Sequence, residues 1–388
     1  MGRVGRLPVA VALGALFNPL NSSMIAIALA RIEAEFHVGV VAVTWLAAGF
    51  YLTAVAVPPV MGALADRFGP RRVFCAGLIM VGLTGALAAV APTYPVLVVA
   101  RLLQAFGSCA TLPAGMAIIT ATAEKGRPPP RVIAMISMVL TASAAAGPVL
   151  AGFLVSLWGW RAIFLVNVPL AALALVPALR WLPKVAPVRR RRAWLPRPRP
   201  ALLATYGLFA LVNVVFYLAF IMVPLWAQRS GGLPPHLAGL LVLPMAVSAI
   251  VMTPVAVALA ARAGLRAVLL ASAALLLAGS CVMFWAGPIG LVLVTTSLIG
   301  LASAFSQFGL NSLVFVHTDR NETGMAVGLF QASRYIGAAT AASITGVLFD
   351  PASMGPSGWV MVTASTLILL AGFIIPVETS DEESRQNQ

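Results

Sequence analysis

Twelve apolar stretches dominate this chain, and a helix needs about 20 predominantly apolar residues to cross the hydrocarbon core of a bilayer. They lie at 9 to 30, 39 to 60, 72 to 92, 95 to 120, 132 to 157, 161 to 181, 201 to 227, 236 to 261, 266 to 286, 289 to 315, 324 to 349 and 357 to 376. Hydrocarbon offers the backbone no water, so each crossing segment must satisfy its own amides as a helix. The expected fold class is therefore an all-α membrane protein of 12 transmembrane helices. Composition agrees: of the 388 residues 61% are hydrophobic and 9% charged, where a soluble domain has roughly a quarter charged. The net charge of +14 does not indicate a nucleic-acid partner, because the cations sit in short clusters between apolar runs rather than on one polar face. Cys75, Cys109, Cys281 and the three histidines are widely spaced. With no CxxC and no HExxH, neither a metal site nor a disulfide framework is expected.

Charge orients the spans. With the N-terminus in the cytoplasm, Arg31, Arg161 and Arg229 fall in external loops, Arg101 and Arg334 fall within the membrane, and every other Lys and Arg lies on the cytoplasmic side. The positive-inside rule then places both termini inside, in a multi-pass protein of the plasma or inner membrane. The first run follows Met1, Arg3 and Arg6 but is polar in its middle and lacks a cleavage site, so it reads as a span rather than a signal peptide. The cluster from Lys184 to Arg199 (KVAPVRRRRAWLPRPR) is rich in Pro and Arg, which favours an extended, solvated linker touching anionic lipid headgroups. This linker divides the chain into an N-terminal six-helix bundle (1–182), the basic cytoplasmic linker (183–200), a C-terminal six-helix bundle (201–377) and an acidic cytoplasmic tail (378–388).

The two halves share a pattern. Leu64, Ala65, Asp66, Arg67, Phe68, Gly69, Pro70 and Arg71 recur, 195 positions on, as Leu259, Ala260, Ala261, Arg262, Ala263, Gly264, Leu265 and Arg266. The same shift takes Glu124 and Lys125 to Asp319 and Arg320. Repeats of this kind relate the two bundles by a pseudo-two-fold axis, with a substrate site near the bilayer midplane.

Polar groups inside the spans are the candidates for that site, since a charge at the bilayer centre costs several kcal/mol unless it faces a cavity or a partner. Arg101, Gln104 and Ser108 share one face of span four, and Arg334, with Gln331 one turn before it, lies ~15 Å into span eleven. Asn18 with Asn21 or Ser22 forms a stripe in span one; Asn213 with Tyr217 and Gln307 with Asn311 stand at i, i+4 spacing. Together these residues are expected to line a central cavity for substrate binding or coupling, although a single membrane Asn or Gln also serves as helix–helix glue. All eleven acids fall in loops, at helix ends or in the tail. Two guanidiniums without a membrane-core carboxylate favour a neutral or anionic substrate, held by Arg101 or Arg334 through forked hydrogen bonds.

Several motifs resemble the major facilitator superfamily. Gly62, Ala63, Leu64, Ala65, Asp66, Arg67, Phe68, Gly69, Pro70, Arg71 and Arg72 are similar to its signature loop between helices two and three. Arg101, Gln104 and Gly107 resemble its RxxQG pattern, and Ser143, Gly147, Pro148, Ala151 and Gly152 the span-five sequence of its exporting branch. Trp160, Arg161, Phe164, Asn167 and Pro169, with Ser333, Arg334, Tyr335, Ile336 and Gly337, resemble the multidrug/proton antiporters, here in a 12-span variant. The resemblance implies a conformational latch at Gly62, Asp66, Arg67, Gly69, Arg71 and Arg72, with Ala261 replacing the carboxylate in the second half, and a hinge or tight packing element at Gly147, Pro148 and Gly152. It also implies export of a small drug-like or antibiotic-like molecule by alternating access, as an antiporter. Where the family's first span has an acidic residue this chain has Asn21, which cannot carry a proton and leaves proton coupling to another group.

An importer or facilitator of the same superfamily is the nearest alternative, and a non-transporting sensor on a transporter scaffold a more distant one. An enzyme is not expected: no paired carboxylates, Ser–His pair or metal ligands face one cavity, His317 stands alone, and GxxxxGK[ST] is missing. The expected partners are a small-molecule substrate and membrane lipids, with no nucleic acid, no cofactor and a monomeric state.

Overall fold

The computed structural model describes residues 3–123, 130–185, 200–285, 288–317, 323–350 and 355–374. Most of the basic linker, the acidic tail, and the second pair of repeat positions (Glu124 and Lys125, Asp319 and Arg320) lie outside the described residues.

Every regular element among the described residues is an α-helix, as a lipid-facing backbone demands. The order is α1 (Arg3–Ala15), α2 (Phe17–Phe36), α3 (Val40–Phe68), α4 (Pro70–Ala89), α5 (Tyr94–Thr122), α6 (Pro130–Trp158), α7 (Ala162–Leu165), α8 (Asn167–Trp181), α9 (Pro200–Arg229), α10 (Pro235–Leu240), α11 (Leu243–Met283), α12 (Ile289–Val316), α13 (Thr323–Leu348) and α14 (Gly355–Ile374). Among the described residues nine helical stretches are long and apolar enough to cross a membrane. The expected runs eight and nine share one of these, Pro235–Met283, which turns sharply at Gly264 (φ 80°, ψ 170°). Runs five and eleven fall on α6 and α13, outside the nine.

α3 is longer than its apolar run. It continues to Phe68, so Gly62 to Phe68 form helix rather than loop, and the chain reverses at Gly69 alone (φ 93°). This left-handed region suits glycine, which has no Cβ to clash. Gly264 repeats that conformation at the equivalent position of the internal repeat.

The chain divides into two compact units: Met1–Arg192 with Pro224–Leu240, and Ala193–Val223 with Leu241–Gln388. α9 therefore begins in the second unit and ends in the first. The core of the first unit gathers Phe17, Phe74, Leu78, Val81, Ile118 and Ala178. α4 and α5 approach there through a reciprocal glycine contact: a Cβ on Gly77 would fall 2.7 Å from the Gly107 carbonyl oxygen, and one on Gly107 2.8 Å from that of Gly77. In the second unit Ala256, Val268, Ala304 and Phe305 form a buried cluster between α11 and α12.

Each unit carries the same cap. Arg71 Nη2 donates to the Leu179 carbonyl at the end of α8, and Arg266 Nη2 donates to the Phe373 carbonyl at the end of α14 at 2.6 Å. A cation suits a helix C-terminus because the last carbonyls lack intrahelical donors and carry the negative end of the dipole. The repeat read from the sequence is therefore a repeat of structure, in which Gly reverses the chain and Arg caps a later helix of its own unit.

Candidate functional site

The two arginines that fall within apolar runs stand in different units and in different surroundings. Arg101, on α5, is 2% exposed. Its Nη1 donates to Gln104 Oε1 at 2.7 Å and its Nη2 to the Asn21 carbonyl at 2.7 Å. The guanidinium lies 4.2 Å from the centroid of Phe50 and 5.9 Å from that of Phe164. Asn21 turns its own amide to Asn167 Oδ1 at 2.9 Å, and Asn167 Nδ2 donates to the Ile163 and Phe164 carbonyls. Tyr51 donates to the Ser22 carbonyl at 3.0 Å, and Asn18 to Cys109 Sγ at 3.1 Å. A long flat cation is thereby sandwiched by aromatic faces and bonded to two neutral oxygens, an arrangement suited to guanidinium and not to ammonium. Arg101 Nε and Gln104 Nε2 are buried without a hydrogen-bond acceptor among the described residues.

Arg334, on α13, is only half-buried. Its Nη2 donates to Gln307 Oε1 on α12 at 2.5 Å, and its guanidinium lies 5.8 Å from the ring centroid of Phe209 on α9. Phe209 stacks on Phe330 with centroids 3.9 Å apart and planes 12° from parallel. Asn213 sits one turn along α9 and donates to the Phe209 carbonyl at 2.7 Å. Gly337 lets α13 meet α9 closely, since a Cβ there would fall 2.9 Å from the Asn213 Cβ. Tyr217, one further turn along, lies within electrostatic range of Arg334 and packs with Phe216 and Phe220. The second unit thus brings Arg334, Gln307, Asn213 and Tyr217 to one region, while Asn311 is half-buried and Gln331 is exposed.

The signature stretch is partly engaged. Arg71 caps α8; Arg67 and Arg72 are exposed, Arg67 lying 5.3 Å from the Phe68 ring centroid. Asp66 is half-buried and makes no ion pair among the described residues. The span-five residues form a close contact. A Cβ on Gly147 would overlap Ser23 of α2, and one on Gly152 would fall 2.8 Å from His236 Cα and 2.9 Å from the Pro235 oxygen. Gly239 of α10 returns the approach against the Pro148 carbonyl.

Ion pairs at the far end of α2 escaped the sequence reading. Glu33, only 8% exposed, pairs with Arg229 at the end of α9. Glu35 takes both a 2.6 Å and a 2.9 Å contact from Arg161 and accepts from Trp160 Nε1 at 2.5 Å. A cavity of about 430 Å³ opens beside them, with Arg31, Ala34, Gln228, Arg229, Leu233 and Pro235 in its wall; neither Arg101 nor Arg334 lines it. No cluster of three His, Cys, Asp or Glu occurs among the described residues, and the three cysteines are free.

The Major Facilitator Superfamily model matches residues 11–342 and 202–387. An uncharacterized MFS-type transporter, YwoD of Bacillus subtilis (strain 168), is 30% identical over 430 aligned positions, covering 93% of this chain and 94% of that protein. The multidrug resistance protein Stp of Mycobacterium tuberculosis (strain CDC 1551 / Oshkosh) is 25% identical over 87% of this chain and 74% of its own length. The tetracenomycin C resistance and export protein of Streptomyces glaucescens is 35% identical over 46% of this chain and 33% of its own. Among solved structures, a D-xylose-proton symporter aligns with a TM-score of 0.77 at 15% identity, over 98% of this chain and 99% of that one. That last likeness concerns the fold alone.

Proposed function

We propose, for a chain that belongs to the major facilitator superfamily, that it exports a small drug-like molecule bearing an acidic or carbonyl group, by alternating access of two six-helix bundles. The kinship with resistance proteins of both multidrug and antibiotic-export kinds supports the direction. The observation that carries the substrate class is Arg334: a charged guanidinium in a span, half-exposed, whose described bond goes to the neutral Gln307 oxygen. A cation so placed gains most from an electron-rich guest, and repels a lipophilic cation. Phe209, Asn213 and Tyr217 supply an aromatic and amide wall suited to a flat organic body.

In this reading Arg101 holds the first unit together and reaches substrate only through Asn21 and Gln104. Twelve spans, both termini inside, a monomeric state and a headgroup-binding linker belong to the same proposal. So do the latch at Asp66, whose ion pair forms in another conformation, and the Gly147-Pro148-Gly152 hinge. The internal repeat of Gly reversal and Arg cap supports the paired bundles.

Proteoliposomes loaded with carboxyfluorescein, a neutral dye or ethidium, under an imposed proton gradient with and without an ionophore, test it. Transport of the carboxylate dye, lost in Arg334→Ala, is expected. Transport of ethidium with indifference to Arg334→Ala would overturn the substrate class, and indifference of all transport to the gradient would remove the antiport.

A further inference from the structure

We infer that Glu33 is a proton-binding group whose ionised form clamps the segment Pro224–Leu240 onto α2, so that acid on that side of the membrane releases the segment. That this side is external rests on the orientation proposed above.

Glu33 lies in the last turns of α2, and its two oxygens are treated unequally. Oε1 pairs with Arg229, while Oε2 is buried with no hydrogen-bond partner among the described residues. A carboxylate removed from water on both oxygens but compensated on one is held ionised chiefly by its cation. Protonation removes that attraction and relieves the uncompensated charge at Oε2. Uncharged contacts also hold the segment: Gln228 Nε2 donates to the Ile27 carbonyl at 3.1 Å, and Gly152 and Gly239 allow close backbone packing between α6 and α10. The Glu33–Arg229 pair is thus the contact to α2 that a proton can switch, and the 430 Å³ cavity lined by Arg31, Gln228 and Arg229 gives water a route to it.

The other titratable and charged groups near this end have different duties. Glu35 is forked onto Arg161 and bonded to Trp160, next to α6. His236 of α10 exchanges a hydrogen bond with Ser156 at 3.1 Å and stacks on Phe153, both on α6. Tyr94 of α5 donates to the Ala42 carbonyl, Arg31 lines the cavity, and His37 closes α2 in a left-handed turn. His236 is the competing switch, because it belongs to the segment and its ring bonds to Ser156 of α6.

Nitroxide pairs at Ala34→Cys and Leu237→Cys, in the full chain with Cys75, Cys109 and Cys281 replaced by serine, report the α2–α10 separation in lipid nanodiscs by pulsed electron resonance. Between about pH 8 and about pH 4, a window spanning carboxylate titration, the long-distance population should grow at least about tenfold relative to the short one. Glu33→Gln should show the long distance throughout, Arg229→Gln should do the same if the first variant does not fold, and His236→Gln should keep the transition. An unchanged distance in the parent chain, a transition that survives Glu33→Gln, or one abolished by His236→Gln would each overturn the inference. No substrate is needed, so a failure here is distinct from a failure of the transport reading.

Discussion

Arg101 and Arg334 carry the same charge inside the membrane, and their neighbours assign them different work. Removing the Arg101 side chain leaves Gln104 Oε1 and the Asn21 carbonyl without their donor and opens a space beside Phe50. Each orphaned buried group costs about 1–3 kcal/mol, so Arg101→Ala is expected to lower the thermal unfolding midpoint in detergent sharply. Arg101→Lys should recover only part of it, because an ammonium cannot bond both oxygens and lie flat on the ring. Arg334→Ala breaks one bond to Gln307 and should cost about 1 kcal/mol of stability. Its effect on transport of an acidic dye should reach at least about tenfold, the loss of one charge-assisted contact. Equal destabilisation by the two alanines would contradict this division. Both arginines were legible in the sequence, because a cation in an apolar run stands out. Their partners were not. Asn167 and Phe164 looked like parts of a family pattern, and Phe50 and Phe209 looked like ordinary apolar residues until packing brought their rings to a guanidinium. Glu33 stands in the sequence as a helix-end acid that could titrate; its burial depends on Arg229, far along the chain, and nothing local announces it.

At the scale of helices, small residues decide how near two backbones come. Gly152 faces the Pro235–His236 backbone, so Gly152→Val must push α6 from α10 and is expected to cost about 1–3 kcal/mol by overpacking. Gly62, inside α3, has nothing within 4 Å of the site a Cβ would occupy. Gly62→Ala should therefore be neutral or stabilise α3 by about 0.5–1 kcal/mol, the helix penalty of glycine. Melting curves of the two purified variants check both signs, and a Gly62→Ala that destabilises as Gly152→Val does would mean that the signature stretch meets a partner there. Helix existence was readable from apolar runs; helix ends were less so. α3 outruns its apolar run by carrying Asp66 and Arg67 to Phe68 before Gly69 reverses it, since polar residues near a membrane face are as compatible with helix as with loop. Spans eight and nine share one helical stretch because Gly264 turns the chain within a single residue, so the break that Arg262 and Arg266 mark in the sequence holds no loop. The repeat of the Gly and Arg positions was the available signal, and Arg71 and Arg266 show its purpose by capping α8 and α14.

Across the whole molecule, charge bears on orientation. Cations are sparse in the loops that hold Arg31, Arg161 and Arg229 and dense in the others, and the positive-inside rule makes the sparse side external. Tryptophan settles at the headgroup level of either face and so marks span ends without giving direction: Trp181 is exposed at a span end that the charge rule puts inside, and Trp45, Trp158, Trp285 and Trp359 at span ends that it puts outside. The ion pairs Glu33–Arg229 and Glu35–Arg161 share that side, so the few cations there are largely matched by carboxylates, whereas Arg67 and Arg72 stand exposed on the other. In intact cells a membrane-impermeant maleimide should label Leu237→Cys directly and Arg67→Cys only after permeabilisation. The reverse order of labelling would invert the orientation, and with it the side from which a proton reaches Glu33.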